Sequence, residues 1–338
     1  MKFSREEALV LNRVQMGIPC ASEPFQVMAE EIGLKEDDLL ETVSRLKEKK
    51  IIRNISGIFN GEKLGYTLSL VAFQVPEKNI EKAAEIINSH PGVSHNYLRG
   101  HKYNIWFTLA EESEDDFFKT VSVLAEKTGA EDYLVLQNEN LLKIGVYLNI
   151  GDKEEINDVA VPYEEEHRDY PELDETARDA VLLLQKDLPV EKSPFRKIAE
   201  SGKYIDNEEQ VLSYFLVFLE TGIMRRYAAV LRHRSAGYTA NAMTAWRPDQ
   251  DFDDGPFREC EAISHLYYRT VYPGRWEHPL FAMIHAKSKK ELEGIIKDLS
   301  EKSGAKDYLV LESLKEFKKR RVAYFSEEFK QWKRLNYD

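Results

Sequence analysis

Hydrophobic and polar positions follow the same succession of patterns twice along this chain. Near the N-terminus, apolar residues recur every three or four positions in three short segments, which predicts three amphipathic helices. These segments are SREEALVLNRVQMG, PFQVMAEEIG and KEDDLLETVSRLKEKK. Pro24 stands where the second helix would begin and Gly33 follows its end, the positions that these two residues favour.

Alternating apolar and polar residues come next and predict strands. The first strand pair lies around IIRNISGIFN and LGYTLSLVAFQV. A helix (NIEKAAEIINSH), two strands (VSHNYLRG and YNIWFTLA), a second helix (EDDFFKTVSVLAEKTG) and a last strand (EDYLVLQN) follow. This order predicts a winged helix-turn-helix joined to a ferredoxin-like βαββαβ sandwich.

The whole succession then repeats. GAEDYLVLQNENLLK, residues 129–143, returns as GAKDYLVLESLKEFK, residues 304–318. Earlier phrases match in the same order: IIRNISGIFN with IMRRYAAVLR, LGYTLSLVAF with AGYTANAMTAW, and VSHNYLRG with ISHLYYRT. Ordered matches at similar spacing predict two diverged copies of one unit of about 150 residues.

We therefore predict an α+β fold, a tandem repeat of winged helix-turn-helix plus ferredoxin-like sandwich. This architecture resembles that of the Lrp/AsnC regulators, with the two copies forming a pseudo-dimer. The predicted parts are a first helix-turn-helix (1–60), a first ferredoxin-like domain (61–148), an acidic linker (149–172), a second helix-turn-helix (173–234), a second ferredoxin-like domain (235–326) and a tail (327–338). The second copy should have less helix before ISHLYYRT, because Gly255 and Pro256 interrupt it.

Composition narrows the class of protein. The 338 residues are 43% hydrophobic and 31% charged, and no apolar run approaches the length of a membrane span. The start, MKFSREEALVLNRV, lacks the features of a signal peptide, so we expect a cytoplasmic protein without a membrane partner. Cys20 and Cys260 are the only cysteines, which excludes a disulfide framework and a cysteine-built metal site.

Charge disfavours DNA as the partner of the helix-turn-helix segments. The net charge is −12, and the third helix of each copy, which would enter the groove, begins with acids. These acids are Glu36, Asp37 and Asp38 in the first copy and Asp206, Glu208 and Glu209 in the second. We predict that these segments serve as packing units.

One segment contrasts with the acidic chain. RRYAAVLRHR, residues 225–234, contains four arginines and a histidine without an acid: Arg225, Arg226, Arg232, His233 and Arg234. One interpretation is an exposed edge strand with solubilising charges. The other is a site for a polyanion, since guanidinium groups pair bidentately with carboxylates or phosphates.

Further cations and aromatic residues extend the second interpretation. Nine residues of these types are candidates for ligand contact: Arg53, Arg99, His101, Tyr103, Trp106, Arg269, Arg275, Trp276 and His278. Together they favour a flat anion with carboxylates around its rim, such as a tetrapyrrole, and no nucleotide-binding fingerprint is present. The other histidines (His90, His95, His167, His265 and His285) are assigned structural roles.

These phrases resemble those of the siroheme decarboxylases, which share the Lrp/AsnC-like architecture and usually work as two different subunits. HKYNIWFTL, RRYAAVLRHRSAGYTANAM and HPLFAMIHA carry the resemblance, and the chain looks like both subunits fused. The resemblance implies removal of carbon dioxide from two acetate groups of siroheme, in an alternative haem or haem d1 route. Relatives often have aromatic-Pro-Tyr-Asn-Leu-Phe where this chain has WEHPLF, residues 276–281.

The resemblance and the residue types together suggest roles. His233 is the first candidate for proton donor, because histidine titrates near neutral pH and flanking arginines lower its pKa. His101 and Tyr103 are its counterparts in the first copy, and either histidine is alternatively an axial ligand of the substrate iron. No cofactor is expected beyond that iron. A homodimer is compatible with edge pairing of such sheets, and the alternative function is an Lrp/AsnC-type regulator or a tetrapyrrole sensor.

Overall fold

A computed structural model describes residues 3–144, 173–231 and 240–337. The described part of the first copy contains α1 (Arg5–Met16), α2 (Pro24–Glu31), α3 (Glu36–Glu48), β1 (Ile52–Phe59), β2 (Thr67–Gln74), α4 (Ile80–Ser89), β3 (His95–Arg99), β4 (Ile105–Glu111), α5 (Glu114–Thr128), β5 (Asp132–Leu136) and β6 (Asn138–Ile144). That of the second contains α6 (Glu175–Leu184), α7 (Pro194–Ala199), α8 (Glu208–Glu220), β7 (Met224–Leu231), β8 (Ala240–Arg247), α9 (Gly255–Glu259), β9 (Ile263–Arg269), β10 (Leu280–Ala286), α10 (Lys289–Ser303), β11 (Asp307–Lys319) and α11 (Glu327–Asn336).

The chain forms two compact units, and each unit contains the same kind of segment from both copies. The first unit holds both helix-turn-helix segments, residues 3–64 and 173–231. The second holds both ferredoxin-like segments, residues 65–144 and 240–337. Among these residues, no helix combines the length and the apolar character that a bilayer crossing needs.

In the first unit, a strand of each copy completes the sheet of the other. β1 pairs antiparallel with β7, so that Asn54 lies opposite Val230 and Gly57 opposite Tyr227. The predicted pairing of β1 with β2 is therefore wrong. Both β1 and β7 have the same alternation, and alternation selects the buried face of a strand but not its partner. Gly57 permits the close approach, since a Cβ there would lie 2.8 Å from Met224 Sδ.

The strand β7 that opens the cationic segment is largely buried. The Tyr227 ring is stacked on Phe215 with centroids 5.1 Å apart, and its centroid lies 5.7 Å from that of Phe195. Burial raises the pKa of the Tyr227 phenol. Arg225 is exposed and Arg226 half-buried. In the part of the segment that the structure describes, most of the strand is therefore packed, while Arg225 stays exposed.

Residues of the opposite copy contact the acidic start of each presumed DNA-reading helix. Lys192 Nζ lies 3.2 Å from Asp37 Oδ1 and 3.6 Å from Glu36 Oε2 at the start of α3. The Ser22 hydroxyl donates to Glu208 Oε2 at 2.7 Å at the start of α8. Acids favour helix N-termini but repel phosphates. These contacts agree with a packing role for both helix-turn-helix segments.

The second unit contains a nine-stranded array in which the copies exchange their last strands. The order is β5-β2-β4-β3-β11-β8-β10-β9-β6. β11 pairs with β8 over residues 307–312 and then with β3 of the other copy from Ser313 onward. In the same way, β5 pairs with β2, and β6 continues to pair with β9. The predicted ferredoxin-like elements are present, and the exchange of the last strands joins those of the two copies into one array.

Three apolar clusters define the layers of this unit. One lies between the first-copy strands and helices α4 and α5, and another between the second-copy strands and helices α9 and α10. The third combines side chains from strands of both copies, including Leu70, Trp106, Phe281 and Leu311. The sheets thus turn one face toward each other and the other toward their helices, in an α-β-β-α arrangement.

The predicted tail forms helix α11, which packs on the first copy. Phe329 and Trp332 are buried, and the Trp332 ring centroid lies 4.2 Å from that of His90. His90 Nε2 is 2.9 Å from Glu111 Oε1, and Lys333 Nζ is 3.2 Å from Glu111 Oε2. The helix therefore covers a buried ionic network.

We expect Phe329→Ala to destabilise the second unit by about 3–5 kcal/mol, because it removes a fully buried ring beneath α11. The exposed Leu335 of the same helix is the matched control, and Leu335→Ala should change the free energy of unfolding by less than about 0.5 kcal/mol. Urea unfolding followed by circular dichroism measures both. Equal effects of the two variants would contradict a docked helix.

Candidate active site

One strand of each copy carries the same three side chains on one face. They are His95, Tyr97 and Arg99 on β3, the first stripe, and His265, Tyr267 and Arg269 on β9, the second stripe. Alternate residues of a strand share a face. Tyr97 lies opposite Trp106, and Tyr267 lies opposite Phe281. Both stripes therefore belong to the faces that the two sheets turn toward each other.

The side chains within each stripe are stacked in the same way. The ring centroids of His95 and Tyr97 are 6.3 Å apart, and those of His265 and Tyr267 are 6.2 Å apart, with nearly parallel planes. The Arg99 guanidinium lies 5.3 Å from the Tyr97 centroid. The second-copy guanidinium lies 4.6 Å from its tyrosine. Each stripe thus presents a histidine, an aromatic ring and a cation in a row.

The two arginines are fixed by the other copy's last strand. Arg99 Nη1 donates to the Leu311 carbonyl at 2.5 Å and to Ser313 Oγ at 3.2 Å. Arg269 Nη1 donates to the Leu136 carbonyl at 2.8 Å. Backbone carbonyls orient a guanidinium but do not neutralise its charge.

Each of these arginines keeps an unused donor. The Nε of Arg99 and that of Arg269 are buried and have no hydrogen-bond partner among the described residues, and no carboxylate there lies within ion-pair distance. Burial lowers the pKa of Arg99 to about 10 and also lowers that of Arg269. Guanidinium groups in proteins nevertheless keep their charge at neutral pH. A buried cation with an unsatisfied N–H is costly unless an anion completes it.

A second group of polar and aromatic side chains lies where two loops meet the start of β5. We call it the loop cluster; its members are His101, Tyr103, Asp132, Arg275, Trp276 and His278. The Tyr103 hydroxyl donates to Asp132 Oδ2 at 2.6 Å, and Arg275 forms an ion pair with the same carboxylate. The His101 and Trp276 ring centroids are 5.5 Å apart. Contacts between the copies therefore hold this cluster together.

Burial governs the protonation of the loop cluster. It lowers the pKa of His101, aided by the nearby Lys102 and His278. Burial also disfavours the ionised form of Asp132. Hydrogen bonds from the Tyr103 hydroxyl and the Tyr133 N–H, together with the charge of Arg275, nevertheless hold the pKa of Asp132 below its usual value. Burial and the bond to Asp132 raise the pKa of Tyr103. At neutral pH the cluster therefore holds a neutral imidazole, a protonated phenol and a carboxylate.

The hydrogen bonds of His101 define its tautomer. The Tyr103 backbone N–H donates to His101 Nδ1 at 3.2 Å, so Nδ1 carries the lone pair and the proton of the neutral ring lies on Nε2. The ring can donate from Nε2 without rearrangement. Ligation of an iron through Nε2 would first require that proton to move.

Three predicted contact residues are also part of the layer between the sheets. Tyr103, Trp106 and Trp276 are buried, and the two indole N–H groups donate to the carbonyls of Tyr103 and His278. The Trp106 and Trp276 centroids are 5.3 Å apart. These residues have a packing role, and their contact with a ligand stays a prediction.

Three other predicted contact residues belong to the first unit. Arg53 lies on β1, and Arg225 and Arg226 lie on β7. Burial lowers the pKa of Arg226. Arg232, His233 and Arg234 lie outside the described residues, so the role of His233 as proton donor also stays a prediction.

Sequence reasoning assigned His95 and His265 structural roles and did not single out Tyr97, Tyr267 or Asp132. A signal was present, because VSHNYLRG and ISHLYYRT share Ser-His-x-Tyr-x-Arg. The shared histidine, tyrosine and arginine follow one another at every second position, so they lie on one face of a strand. Hydrophobic packing alone does not require these three residue types there.

Two family models match the chain. Residues 63–143 and 235–318 match the AsnC-like ligand binding domain. Residues 7–53 match the siroheme decarboxylase NirDL-like HTH domain. The duplication predicted from the sequence phrases is thus also present in the family match.

Several proteins similar to the chain are named siroheme decarboxylases. The siroheme decarboxylase of Hydrogenobacter thermophilus is 38% identical over 332 residues, which cover 96% of both chains. The siroheme decarboxylase alpha subunit of Oleidesulfovibrio alaskensis is 41% identical over 40% of this chain and 83% of its own length. The crystal structure of the siroheme decarboxylase NirDL in complex with an iron-uroporphyrin III analogue has a TM-score of 0.76 at 33% identity, covering 98% of this chain and 99% of that one.

We expect His101 to titrate below the usual pKa of histidine, because burial disfavours its charged form. A lowered folded-state value means that this group favours the folded state above the pKa of the unfolded chain and that the contribution is lost as pH falls. Imidazole NMR, with the signal assigned through its loss in His101→Gln, measures the value. His278→Gln should move it upward; a value at or above the usual one would refute the assignment.

Proposed function

The chain belongs to the siroheme decarboxylase family, and on that premise we propose that it is a carboxy-lyase that removes the carboxyl groups of two acetate side chains of siroheme. The product would be didecarboxysiroheme, formed in an alternative haem or haem d1 route. The full-length similarity to a named siroheme decarboxylase supports this proposal, as does a structural relative that binds an iron-uroporphyrin analogue.

The observation that carries the proposal is the pair of stripe guanidiniums, whose Nε atoms are buried and which have no carboxylate partner among the described residues. Each of Arg99 and Arg269 has an unused Nε–H beside an aromatic ring. Carboxylates on the rim of a flat ring would complete these donors, and each charge-assisted bond is worth about 1.5–3 kcal/mol. Two stripes would hold such a ring at more than one carboxylate and so fix its orientation.

The reaction requires a proton and an electron sink. When the carbon–carbon bond of an acetate breaks, carbon dioxide leaves and its electron pair flows into the protonated macrocycle. The pair then forms the C–H bond of the new methyl group with a proton from the protein, and the macrocycle releases the proton that it had taken up. Burial of the reacting carboxylate among aromatic side chains would favour loss of its charge. Orientation, exclusion of water and proton supply are therefore the tasks of the protein.

Several groups are candidates for the proton supply in this proposal. His233 and His101 remain proposed donors, with Tyr103 as the partner of His101. The Nε2–H tautomer of His101 supports donation more directly than ligation of the substrate iron. The Tyr103 proton is shared with Asp132, so that phenol would act through a hydrogen bond.

Three further expectations belong to the same proposal. The protein would need no resident cofactor, because the iron arrives with siroheme. It would act in the cytoplasm, as the sparse cysteines suggest. A homodimer of the fused chain would follow from pairing of its sheets, and light scattering measures its mass.

Incubation of the pure protein with siroheme without oxygen should yield a product that lacks two carboxyl groups by mass spectrometry. Heat-denatured protein is the control. Bound siroheme that stays unchanged on folded protein would reject the enzyme. Unchanged siroheme together with retardation of a promoter fragment would favour a sensor.

Replacement of either stripe arginine should weaken siroheme binding by about 10–150-fold, the equivalent of one charge-assisted bond. The variants are Arg99→Met and Arg269→Met, measured by absorbance titration after circular dichroism has verified folding. Arg258→Met is the control, because Arg258 is exposed and paired with Asp254. Binding equal to that of the control would show that the stripe arginines serve strand packing alone.

A further inference from the structure

A chain of hydrogen bonds crosses three strands beside the second stripe. Ser264 Oγ lies 2.8 Å from His265 Nδ1 and 2.8 Å from His285 Nε2. His285 Nδ1 lies 2.8 Å from Asn241 Oδ1. We call these four residues the relay. Ser264 is buried, whereas both histidines are partly exposed, so the serine connects two imidazoles that other molecules can reach.

The last member gives the relay a direction. The Asn241 amide oxygen only accepts, so His285 Nδ1 must donate to it. The Nε2 of neutral His285 then accepts from the Ser264 hydroxyl, whose oxygen can accept from His265 Nδ1. Protonation of His285 at Nε2, with the proton of neutral His265 on its own Nε2, reverses the two serine bonds and leaves the Asn241 bond unchanged. A proton can therefore pass from His285 through Ser264 to His265.

The first copy has the start of this arrangement but not the rest. Ser94 Oγ lies 3.0 Å from His95 Nδ1, but its second contact is Thr108 Oγ1 at 2.6 Å. His285 and Asn241 are opposite each other in the β10–β8 ladder. The corresponding ladder pair of β4 and β2 is Ala110 and Leu68, which have no proton to pass. Only the second copy therefore has a complete relay among the described residues.

We propose, on the basis of the proposed function, that among the candidate proton donors it is the relay, in place of His233 or His101, that supplies the proton that replaces carbon dioxide, and that the second copy is the half equipped for protonation. His265 belongs to the second stripe and stacks on Tyr267, which also lies beneath the Arg269 guanidinium. His265 is thus at the end of the relay that faces the proposed carboxylate site.

The step balances in protons and electrons. The acetate carbon–carbon bond breaks, carbon dioxide leaves, and the electron pair returns through the ring to form a C–H bond with the Nε2 proton of His265. Ser264 passes its hydroxyl proton to His265 Nδ1 and receives one from His285 Nε2. After product release His265 Nε2 takes a proton from water, and the Nδ1 proton of His265 returns through Ser264 to His285 Nε2. One proton is consumed for each carboxyl group lost, and no oxidant or reductant is involved.

Ser264→Ala removes the link between the two histidines. We expect binding of siroheme to stay within about threefold, whereas kcat for decarboxylation falls about 10²-fold, a loss typical of general acid catalysis. Ser264→Thr keeps a hydroxyl in the strand and should restore most of kcat. Ser69→Ala is the matched control, because Ser69 is also a buried strand serine but donates only to the Leu70 carbonyl.

A second measurement does not depend on turnover. The relay requires neutral His285 to carry its proton on Nδ1, which ¹⁵N imidazole shifts of the free protein report. Asn241→Leu, which introduces the first-copy residue, should release that tautomer and lower kcat. A proton on Nε2 in the unaltered protein would overturn the relay.

The outcomes separate the relay from the proposed function. If the unaltered protein binds siroheme without decarboxylating it, the proposed function fails and the relay proposal with it. If the unaltered protein turns over and Ser264→Ala matches it in kcat, the relay alone is wrong. Failure of Ser264→Thr to recover activity while binding is retained would also exclude the hydroxyl as a proton carrier.

Discussion

Each copy sends its last strand into the sheet of the other copy, and the rest of the second unit depends on this exchange. β11 leaves β8 after Glu312 and pairs with β3 from Ser313 onward, and β6 makes the reciprocal pairing with β9. The exchange places the Leu311 carbonyl beside Arg99 and the Leu136 carbonyl beside Arg269. In a single copy, neither stripe arginine would have the backbone carbonyl that orients it. Fusion of two copies makes this pairing intramolecular and thus independent of protein concentration.

The exchange also explains how two cations persist inside a largely apolar layer. A buried guanidinium without a carboxylate loses hydration, and carbonyl and aromatic contacts recover only part of that loss. The strands on both sides hold Arg99 and Arg269 in place, so the desolvation cost of the guanidiniums arises when the protein folds and not when a ligand binds. A ligand carboxylate then meets donors that need no reorganisation, which is the condition for strong electrostatic stabilisation.

The order of the elements was predictable because hydrophobic periodicity is a local property, and the repeated phrases supplied a second reading of each element. The pairing partner of each strand was not predictable, because alternation identifies the buried face of a strand but not the strand beside it. β1 illustrates this point, since it pairs with β7 instead of β2. The relay could not be predicted from the sequence for a related reason. An ungapped match of LGYTLSLVAF with AGYTANAMTAW aligns Ser69 with Asn241, whereas the ladders align Leu68 with it. A slip of one residue moves a side chain to the other face of the sheet.

The charge pattern identified Arg99 and Arg269, but only the ladder revealed what surrounds them. The shared phrase Ser-His-x-Tyr-x-Arg marks His265, but nothing near it in the sequence indicates His285, which follows Ser264 by 21 positions. A lone histidine is therefore assigned a structural role unless the register of two strands is known. The same limit applies to Asp132, which meets Tyr103 and Arg275 from separate segments of the chain.

The two copies have diverged unequally, and the difference lies in the proton chemistry. Both retain the stripe of histidine, tyrosine and arginine, so under the proposed function both would contact a carboxylate-rimmed ring. They differ at one ladder step, where Leu68 and Ala110 stand in the first copy and Asn241 and His285 in the second. Binding a ring with several carboxylates benefits from two stripes, since each adds an independent contact. Protonation needs one donor for each event, and two acetates can be served in succession if the ring is released and bound again in a second orientation. Two stripes and one relay are thus a sufficient set for a reaction that repeats the same step on one substrate.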